Sequence, residues 1–388
     1  MRVLWASNYT VTSSYSLESR RQVPRLNRAG HKTVVFDIRN GGGSTSQVGD
    51  IIILPAALDP VGNDIIPQHY QNSRSDILIS LCDVWAFQDH VMRQTNWYPW
   101  VPVDHVPVPP AVAEALKAAR GMFAMTRFGM KQLQDAGYSP LYWPLSLDPD
   151  IWYPGNMEQS RNRLGVPQDC YLVSFIGVND SNPSRKGIPE LLAAWSMFHK
   201  QHPNSKLYLH TTLLGNMPIG GARNGVDINW LCKMFGVDPA SIILPDQYKM
   251  RTGIPAQELA SWARASDMLI LPSRGEGFGL PLIEFQAAGC PVATTDFAGG
   301  AELCASRWMI DYEVEWSWQN STVARPGIAS IGTALDTGLA HKGDPKPRAQ
   351  ATEFAREYHV DYVFDKYAVP ILNNIAEELI LSAKPPAK

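Results

Sequence analysis

The chain lacks several features that would narrow its function at once. It contains no apolar run of the roughly 18 to 20 residues that a membrane-spanning helix requires. Its start, MRVLWASNYT, has neither a long apolar core nor a cleavage site, so we expect no signal peptide. The formal net charge of −3 disfavours a dedicated nucleic-acid-binding protein. No Ser/His/Asp or Cys/His arrangement typical of a nucleophile is visible, and no residues have the spacing of a zinc or P-loop site.

The cysteines are few and scattered. Five occur in 388 residues, none of them in a C-x-x-C pair, and each lies in or beside an apolar segment. This pattern indicates buried free thiols in a reducing compartment, so we expect a cytoplasmic protein. A hydrophobic content of 45% and a charged content of 18% are typical of a water-soluble folded chain, and the length suits two domains.

The stretch from 273 to 302 has the most informative local pattern. The apolar run Met268–Pro272 before it predicts a short buried strand, and the apolar spacing from Leu282 to Ala288 predicts a helix. Pro281 suits the first turn of that helix, because its missing N–H would have no partner there. Between strand and helix, three glycines allow the backbone to turn sharply and approach a ligand: Gly275, Gly277 and Gly279.

This turn combines an anion site with two carboxylates. The free amides of the turn and of the helix N-terminus favour an anion. Glu276 lies in the turn and Glu284 lies about one helical turn into the helix. Both suit the hydroxyls of a sugar and a ribose, for which carboxylates are strong acceptors. The sequence therefore predicts a nucleotide-sugar pocket, the alternative being two solvated charges at the start of a helix.

The same residues resemble a known family. Glu276 and Glu284 are eight positions apart (284 − 276 = 8), with GFGLP between them and AAGCPV after them. This arrangement is similar to the E-x7-E signature of retaining glycosyltransferases of group 1, the GT4-like enzymes. The resemblance implies an α/β protein of GT-B fold, in which two Rossmann-like domains face each other across a cleft. It implies that Glu284 holds the ribose of the donor and Glu276 its sugar, and the remaining donor contacts fall to Gly277, Phe278, Gly279 and Leu280.

Members of this family also carry two cations that bind the diphosphate of the donor. Their Lys-Gly before a helix is matched by Lys186 and Gly187. Their arginine, which follows a strand glycine, has no counterpart, because Val178 or Asn179 stands at that position. We therefore expect Asn179 to be a donor-binding residue and Arg185 to substitute for the arginine. A cation is needed there because charge develops on the leaving group.

The resemblance is weaker in the first half of the chain. The family often has a glycine pair in its first loop, which residues 9–15 replace here. Many relatives place a histidine near the anomeric carbon of the donor. The matching position here is Asp104, with His105 next to it, and we expect Asp104 to be the functional residue. An acid and an imidazole offer different chemistry.

The resemblance also implies the domain boundaries. The first domain spans 1–150 and is joined by a C-terminal helix of about 361–388, while the second spans 165–360. Residues 148–169 contain three prolines and are expected to form the connection. A loop is expected around Trp316 and Trp318.

Two further groups of side chains each allow a structural and a functional interpretation. A helix is predicted to reach about Arg28, with an interruption at Pro24, and its basic face would suit peripheral contact with an anionic membrane. Glu18 on the same helix favours a plain solvated face. That basic face comprises Arg20, Arg21, Arg25 and Arg28. Three tryptophans near Asp104 suit the C–H surfaces of a sugar, although core packing is the favoured interpretation; they are Trp85, Trp97 and Trp100.

Together these observations predict a retaining hexosyltransferase (EC 2.4.1.-) that uses a UDP- or GDP-sugar and needs neither a cofactor nor a metal. The acceptor is left open among a glycan, a lipid, a protein and a modified base. The alternatives are a non-catalytic nucleotide-sugar-binding protein and a GT-B phosphorylase or epimerase. The residues expected to act in catalysis are Glu276, Asp104, Lys186 and Arg185.

Overall fold

A computed structural model describes residues 1–11, 13–39, 43–215 and 224–383. The chain divides into two compact units. The first contains the residues up to Leu147, the short segment Trp318–Ser321, and the described residues from Tyr358 onward. The second contains Asp148–Ser317 and Thr322–Glu357. Thr12 of the first loop and residues 384–388 of the expected C-terminal helix lie outside the described residues.

The first domain is built on a mainly parallel sheet in the order β3-β4-β2-β1-β5-β6-β7-β8. Only β3 runs antiparallel to its described neighbour. Residues of β5 are buried along its whole length, as expected for a central strand covered on both faces. The strands are β1 (Arg2–Ser7), β2 (Lys32–Asp37), β3 (Ser46–Val48), β4 (Ile51–Leu54), β5 (Ile77–Leu81), β6 (Trp97–Val101), β7 (Phe123–Ala124) and β8 (Leu141–Tyr142).

The helices between these strands complete the α/β arrangement. They are α1 (Ser14–Arg28), α2 (Ile66–Asn72), α3 (Asp89–Met92), α4 (Pro110–Leu116) and α5 (Arg127–Asp135). The interruption expected at Pro24 is wrong, because α1 continues through that residue to Arg28. Ser13 caps the start of α1 by accepting a hydrogen bond from the amide of Ser16.

The basic face of α1 is the expected solvated face only in part, because Arg20 and Arg28 are exposed whereas Arg21 is buried. Arg21 is buried and donates to the carbonyl of Ser146 at 2.5 Å. Arg25 donates to Asp361 at 2.7 Å, and Arg28 lies 3.9 Å from the same carboxylate. The single carboxylate of Asp361 thus offsets part of the positive charge on this helix, and membrane contact stays a prediction.

Glu18 also departs from the expected solvated position, because it is fully buried. Its carboxylate accepts from Gln22 Nε2 at 2.7 Å and from the amide and hydroxyl of Ser146 at 3.0 and 2.8 Å. Arg21 lies 3.5 Å away. Burial raises the pKa of Glu18, although Arg21, Gln22 and Ser146 pull it down.

Core packing accounts for two of the three tryptophans near Asp104. Trp97 and Trp100 are fully buried, and their indole N–H groups donate to Ser80 Oγ and to the carbonyl of Trp143. Trp85 is about half exposed. The core interpretation is therefore confirmed for Trp97 and Trp100.

The second domain is built on a parallel sheet in the order β11-β10-β9-β12-β13-β14. Its strands are β9 (Tyr171–Ile176), β10 (Ser205–His210), β11 (Ile242–Ile243), β12 (Met268–Leu271), β13 (Val292–Thr295) and β14 (Trp308–Ile310). The loop expected around Trp316 and Trp318 is confirmed for Trp318 and wrong for Trp316, because Trp318 lies in the turn between β15 (Tyr312–Ser317) and β16 (Ser321–Pro326), which form a two-stranded sheet. Residues of β15 alternate between acidic and apolar types, which is a strand pattern.

Helices pack beside this sheet, including one in the segment expected to be a plain connection. The helices are α6 (Met157–Leu164), α7 (Ile188–Gln201), α8 (Ile228–Phe235), α9 (Gln247–Thr252), α10 (Ala256–Ala265), α11 (Leu280–Ala287), α12 (Ala298–Glu302), α13 (Ile328–Ala340) and α14 (Pro345–Ala355). Arg161 of α6 is buried and pairs with Asp267 at 2.8 Å, so this segment is part of the second domain.

The described chain ends in helical segments assigned to the first domain. These are α15 (Val360–Val363), a π-helical turn over Phe364–Ala368, and α16 (Val369–Ala383). Among the described residues, no helix combines the length and the apolar character needed to cross a membrane.

Candidate functional site

The strand, turn and helix expected around residues 268–288 are confirmed. Strand β12 ends at Leu271, and α11 begins at Leu280, with Gly279 at its N-cap and Pro281 in its first turn. Gly279 has a φ of +101°, a conformation that other residues rarely adopt. The turn therefore places the N-terminus of α11 at the carboxyl end of the sheet, where α/β folds of this kind bind their ligands.

The structure brings Lys186 and Glu276 into direct contact. Lys186 Nζ donates to Glu276 Oε1 at 2.5 Å, and both side chains are largely buried. The sequence predicted both residues as parts of one donor site, but it did not predict that they form an ion pair. Their contact joins the loop before α7 to the turn before α11.

Burial and neighbouring charges shift the pKa values of both Lys186 and Glu276. Burial lowers the pKa of Lys186, and Glu276 works against that shift. Burial alone would raise the pKa of Glu276, but the charges of Lys186 and Arg185 bring it below its ordinary value. The arrangement therefore keeps Glu276 ionised, and it leaves two positive charges close to one carboxylate.

The other residues of the glycine-rich turn divide into buried and accessible positions. The side chains of Phe278 and Leu280 are buried and anchor the turn in the core. Gly277 and Gly279 are partly accessible, so the backbone there is open to a ligand. Glu284 is buried in α11, about one helical turn after its start.

Asn179 has a structural role that its sequence position did not reveal. Its side-chain amide donates to the carbonyls of Thr212 and Val226 at 3.0 and 2.7 Å, and its oxygen accepts from the amide of Val226 at 2.8 Å. These bonds occupy the amide with two backbone segments of the same domain. In this structure Asn179 thus fixes the loop that follows β9, and the donor contact expected from the sequence stays a prediction.

Arg185 lies next to the ion pair, in the loop before α7. Its amide donates to Ser181 Oγ at 2.9 Å, and its carbonyl accepts from the amide of Arg274 at 2.8 Å. Its guanidinium charge acts on both Lys186 and Glu276. The position fits the expectation that Arg185 contributes positive charge near the turn.

The sequence analysis did not identify three buried polar side chains of this domain. Thr211 follows β10 and Thr295 ends β13, and both hydroxyls are buried without a hydrogen-bond partner in the part of the chain that the structure describes. Buried hydroxyls without a partner are uncommon in folded proteins. The third is Arg274, a buried arginine whose only sequence signal was its place within the motif.

In the first domain, Asp104 and His105 lie after β6. Asp104 Oδ1 is 2.6 Å from His105 Nδ1. The imidazole is buried, whereas the carboxylate is about 30% exposed. The pair thus presents the acid rather than the imidazole to solvent, which agrees with the choice of Asp104 over His105. The role of Asp104 in catalysis stays a prediction.

Comparison with known proteins finds similarity to glycosyltransferases. Residues 171–310 match the family described as Glycosyl transferases group 1. The D-inositol 3-phosphate glycosyltransferase of Corynebacterium kroppenstedtii is 33% identical over 146 residues, which cover 38% of this chain and 30% of that protein. The corresponding protein of Stackebrandtia nassauensis is 30% identical over 181 residues, covering 46% of this chain and 39% of that protein. The matches thus span well under half the length of these curated relatives.

Solved structures extend the likeness to the whole chain. A sucrose-phosphate synthase from Thermosynechococcus elongatus has a TM-score of 0.72 at 17% identity, covering 98% of this chain and 99% of that chain. A structure of the trehalose-6-phosphate protein from E. coli, bound with UDP-2-fluoro glucose, has a TM-score of 0.65 at 12% identity, covering 94% of this chain and 97% of that chain. At these identities the structures establish the fold. The fold is GT-B, with two Rossmann-like domains, and the resemblance to GT4-like glycosyltransferases of group 1 is confirmed.

Proposed function

We propose that the protein is a retaining hexosyltransferase (EC 2.4.1.-) that transfers a hexose from a UDP- or GDP-sugar to an acceptor hydroxyl. The observation that carries the proposal is the buried Lys186–Glu276 pair beside the glycine-rich start of α11. The relatives named as glycosyltransferases and the neighbour bound with a UDP-sugar analogue support it. The free cysteines support a cytoplasmic location.

The leaving diphosphate would be stabilised by positive charge and backbone amides. Lys186 and Arg185 supply the charge, and the turn at 277–279 with the start of α11 supplies N–H donors. Glu276 holds Lys186 in place and accepts from the hydroxyls of the sugar, while Glu284 accepts from the hydroxyls of the ribose.

The reaction proposed is a same-face displacement at the anomeric carbon. The bond from that carbon to the phosphate oxygen breaks, the acceptor oxygen bonds to the same face, and the leaving phosphate takes the proton of the acceptor hydroxyl. Positive charge at the leaving group is worth most in this step, because negative charge develops there in the transition state. Acceptors of the glycan, lipid, protein and modified-base classes are all compatible with this chemistry.

The test is nucleotide release from a panel of UDP-, GDP- and ADP-sugars by the wild type and three variants. Lys186→Ala and Glu284→Ala should abolish the slow release that one donor supports, since each removes a donor contact. Lys131→Ala is the matched control, because Lys131 is an exposed lysine of the first domain that pairs with Asp135. It should release nucleotide at the wild-type rate.

The outcomes separate the proposed function from its alternatives. Saturable binding of a donor, with no transfer to acceptors of the four classes, would indicate a non-catalytic binding protein. Turnover that requires free phosphate would indicate a phosphorylase, and conversion of the donor alone would indicate an epimerase. With an acceptor found, an NMR spectrum of the first-formed product that shows inverted anomeric configuration would refute retention.

A further inference from the structure

Arg274 is a buried cation that links three segments of the second domain. Its Nε donates to the carbonyl of Ser184 at 3.1 Å, and one terminal nitrogen donates to Glu190 at 2.9 Å. The other terminal nitrogen donates to Glu315. The guanidinium thus contacts the loop before α7, the first turn of α7, and strand β15.

The backbone of Arg274 reinforces the same connections. Its amide donates to the carbonyl of Arg185 at 2.8 Å, and its carbonyl accepts from the amide of Ala324 at 2.8 Å. Main chain and side chain therefore both hold the turn at 184–187, the segment that carries Arg185 and Lys186. The turn itself is closed by the amide of Gly187, which donates to the carbonyl of Ser184 at 3.0 Å.

We propose that Arg274 is a positioning residue that sets the placement of Lys186 against Glu276, and through it the affinity for the nucleotide diphosphate; this inference rests on the proposed function. Arg274 acts through the turn at 184–187 and through its own place two residues before Glu276. An arginine suits the task because its planar fork reaches a carbonyl and two carboxylates in fixed directions. A lysine ammonium at that position cannot span the same three acceptors.

Arg161 provides a matched control within the same domain. It is also buried, pairs with Asp267 at 2.8 Å, and donates to the carbonyls of Ala265, Gln168 and Cys170. Its partners lie at the end of α10, just before β12, and between α6 and β9, whereas those of Arg274 lie in the loop before α7, in α7 and in β15. Replacing either arginine by lysine should destabilise the domain, but only the Arg274 change should reach the donor turn.

The first readout is hydrogen exchange by mass spectrometry over residues 184–188, which needs no ligand. Arg274→Lys should speed exchange there by about tenfold or more, the factor expected when a charged donor loses a hydrogen bond. Arg161→Lys should leave this segment unchanged. Unchanged exchange at 184–188 in a folded Arg274→Lys protein would overturn the proposal.

The second readout is the dissociation constant of UDP and GDP by calorimetry. Arg274→Lys should raise the dissociation constant of the nucleotide that the wild type binds by roughly tenfold. A small displacement of a charged contact has a cost of this order. Arg161→Lys should bind it normally. Faster exchange with unchanged affinity would overturn the positioning role. If the wild type binds neither nucleotide, the proposed function fails, and the exchange result still decides whether Arg274 holds the turn.

A milder pair of variants guards against a folding failure. Glu315→Gln removes one carboxylate from Arg274, while Glu313→Gln removes the exposed carboxylate that pairs with Arg325 on the same hairpin. Glu315→Gln should speed exchange at 184–188 by a smaller factor than Arg274→Lys. An equal response to both glutamine variants would contradict the proposed link from β15 to the turn.

Discussion

Each domain buries a glutamate beside a cation, and the pKa values of the two carboxyl groups are shifted in opposite directions. Burial raises the pKa of Glu18 in the first domain, and Arg21, Gln22 and Ser146 only partly offset it. For Glu276 in the second domain, burial is outweighed by Lys186 and Arg185, so its pKa is lowered. Hydrogen bonds alone do not explain the difference, because Glu18 accepts several of them.

The difference lies in the number and closeness of the cations. Arg21 lies 3.5 Å from the carboxylate of Glu18, whereas Lys186 lies 2.5 Å from that of Glu276 and Arg185 adds a second positive charge. Charge–charge attraction falls with distance and is strong in a buried setting. Glu18 therefore behaves as a polar group that ties α1 to Ser146, while Glu276 behaves as a fixed anion that orients a lysine.

The largest test of this comparison removes the cation from each cluster. Lys186→Met should lower the free energy of unfolding by about 3–5 kcal/mol near neutral pH, because Glu276 loses its closest cation while it stays buried. Arg21→Met should lower it by only about 1–3 kcal/mol, since Gln22 and Ser146 still bond Glu18. Urea unfolding at neutral pH measures both values. Equal losses would mean that cation distance does not distinguish the two clusters.

A second test displaces Lys186 without changing its charge. Gly187 has a φ of +66°, and a Cβ at this position would lie 2.0 Å from the carbonyl oxygen of Pro272. Gly187→Ala should therefore cost roughly 1–2 kcal/mol for the left-handed backbone and about 1–3 kcal/mol more for the clash. Lys186 should move away from Glu276, whose pKa should rise toward that of Glu18.

Gly165 is the control for this substitution. It has a similar φ of +69° at the end of α6, but a Cβ there would meet nothing within 4 Å. Gly165→Ala should cost only roughly 1–2 kcal/mol and leave nucleotide affinity unchanged. Thermal unfolding and nucleotide calorimetry on both variants decide the matter, and an equal cost for the two would show that the contact with Pro272 is relieved by movement.

Whether a feature of the site could be predicted from the sequence depends on how far apart its interacting residues lie along the chain. The turn before α11 was predictable, because its glycines, Pro281 and the following apolar spacing act within a few residues. The contact between Lys186 and Glu276 joins residues 90 positions apart. No local pattern encodes it, and only the family resemblance placed both residues in one site.

The errors have equally specific causes. The prolines of residues 148–169 were interpreted as a connection, although they flank α6 and its buried Arg161. The strand pattern of Tyr312–Ser317 was overlooked, although its acidic and apolar residues alternate as in a strand. The bonds of Asn179 to Thr212 and Val226 were not predictable, because they depend on how distant loops meet.

The test with the smallest expected effect addresses the opposite pKa shifts of Glu18 and Glu276 most directly. The ordinary pKa of both carboxyl groups is about 4.5. A lowered folded-state pKa stabilises the fold above 4.5, and this contribution is lost as the pH falls through the folded value. A raised folded-state pKa has the opposite sign, because the folded state then binds the proton more tightly, and stability falls as the pH rises from 4.5 to the folded value.

Glu276→Gln and Glu18→Gln remove these contributions one at a time. The stability of the wild type relative to Glu276→Gln should increase as the pH rises from below the lowered pKa of Glu276 to about 4.5, whereas that relative to Glu18→Gln should decrease as the pH rises above about 4.5. Urea unfolding across this range measures both slopes. Because glutamine keeps the shape and part of the hydrogen bonding, the sign of each slope reports the charge alone. A stability that falls with rising pH at Glu276, as is expected at Glu18, would show that the cations at Glu276 do not outweigh its burial.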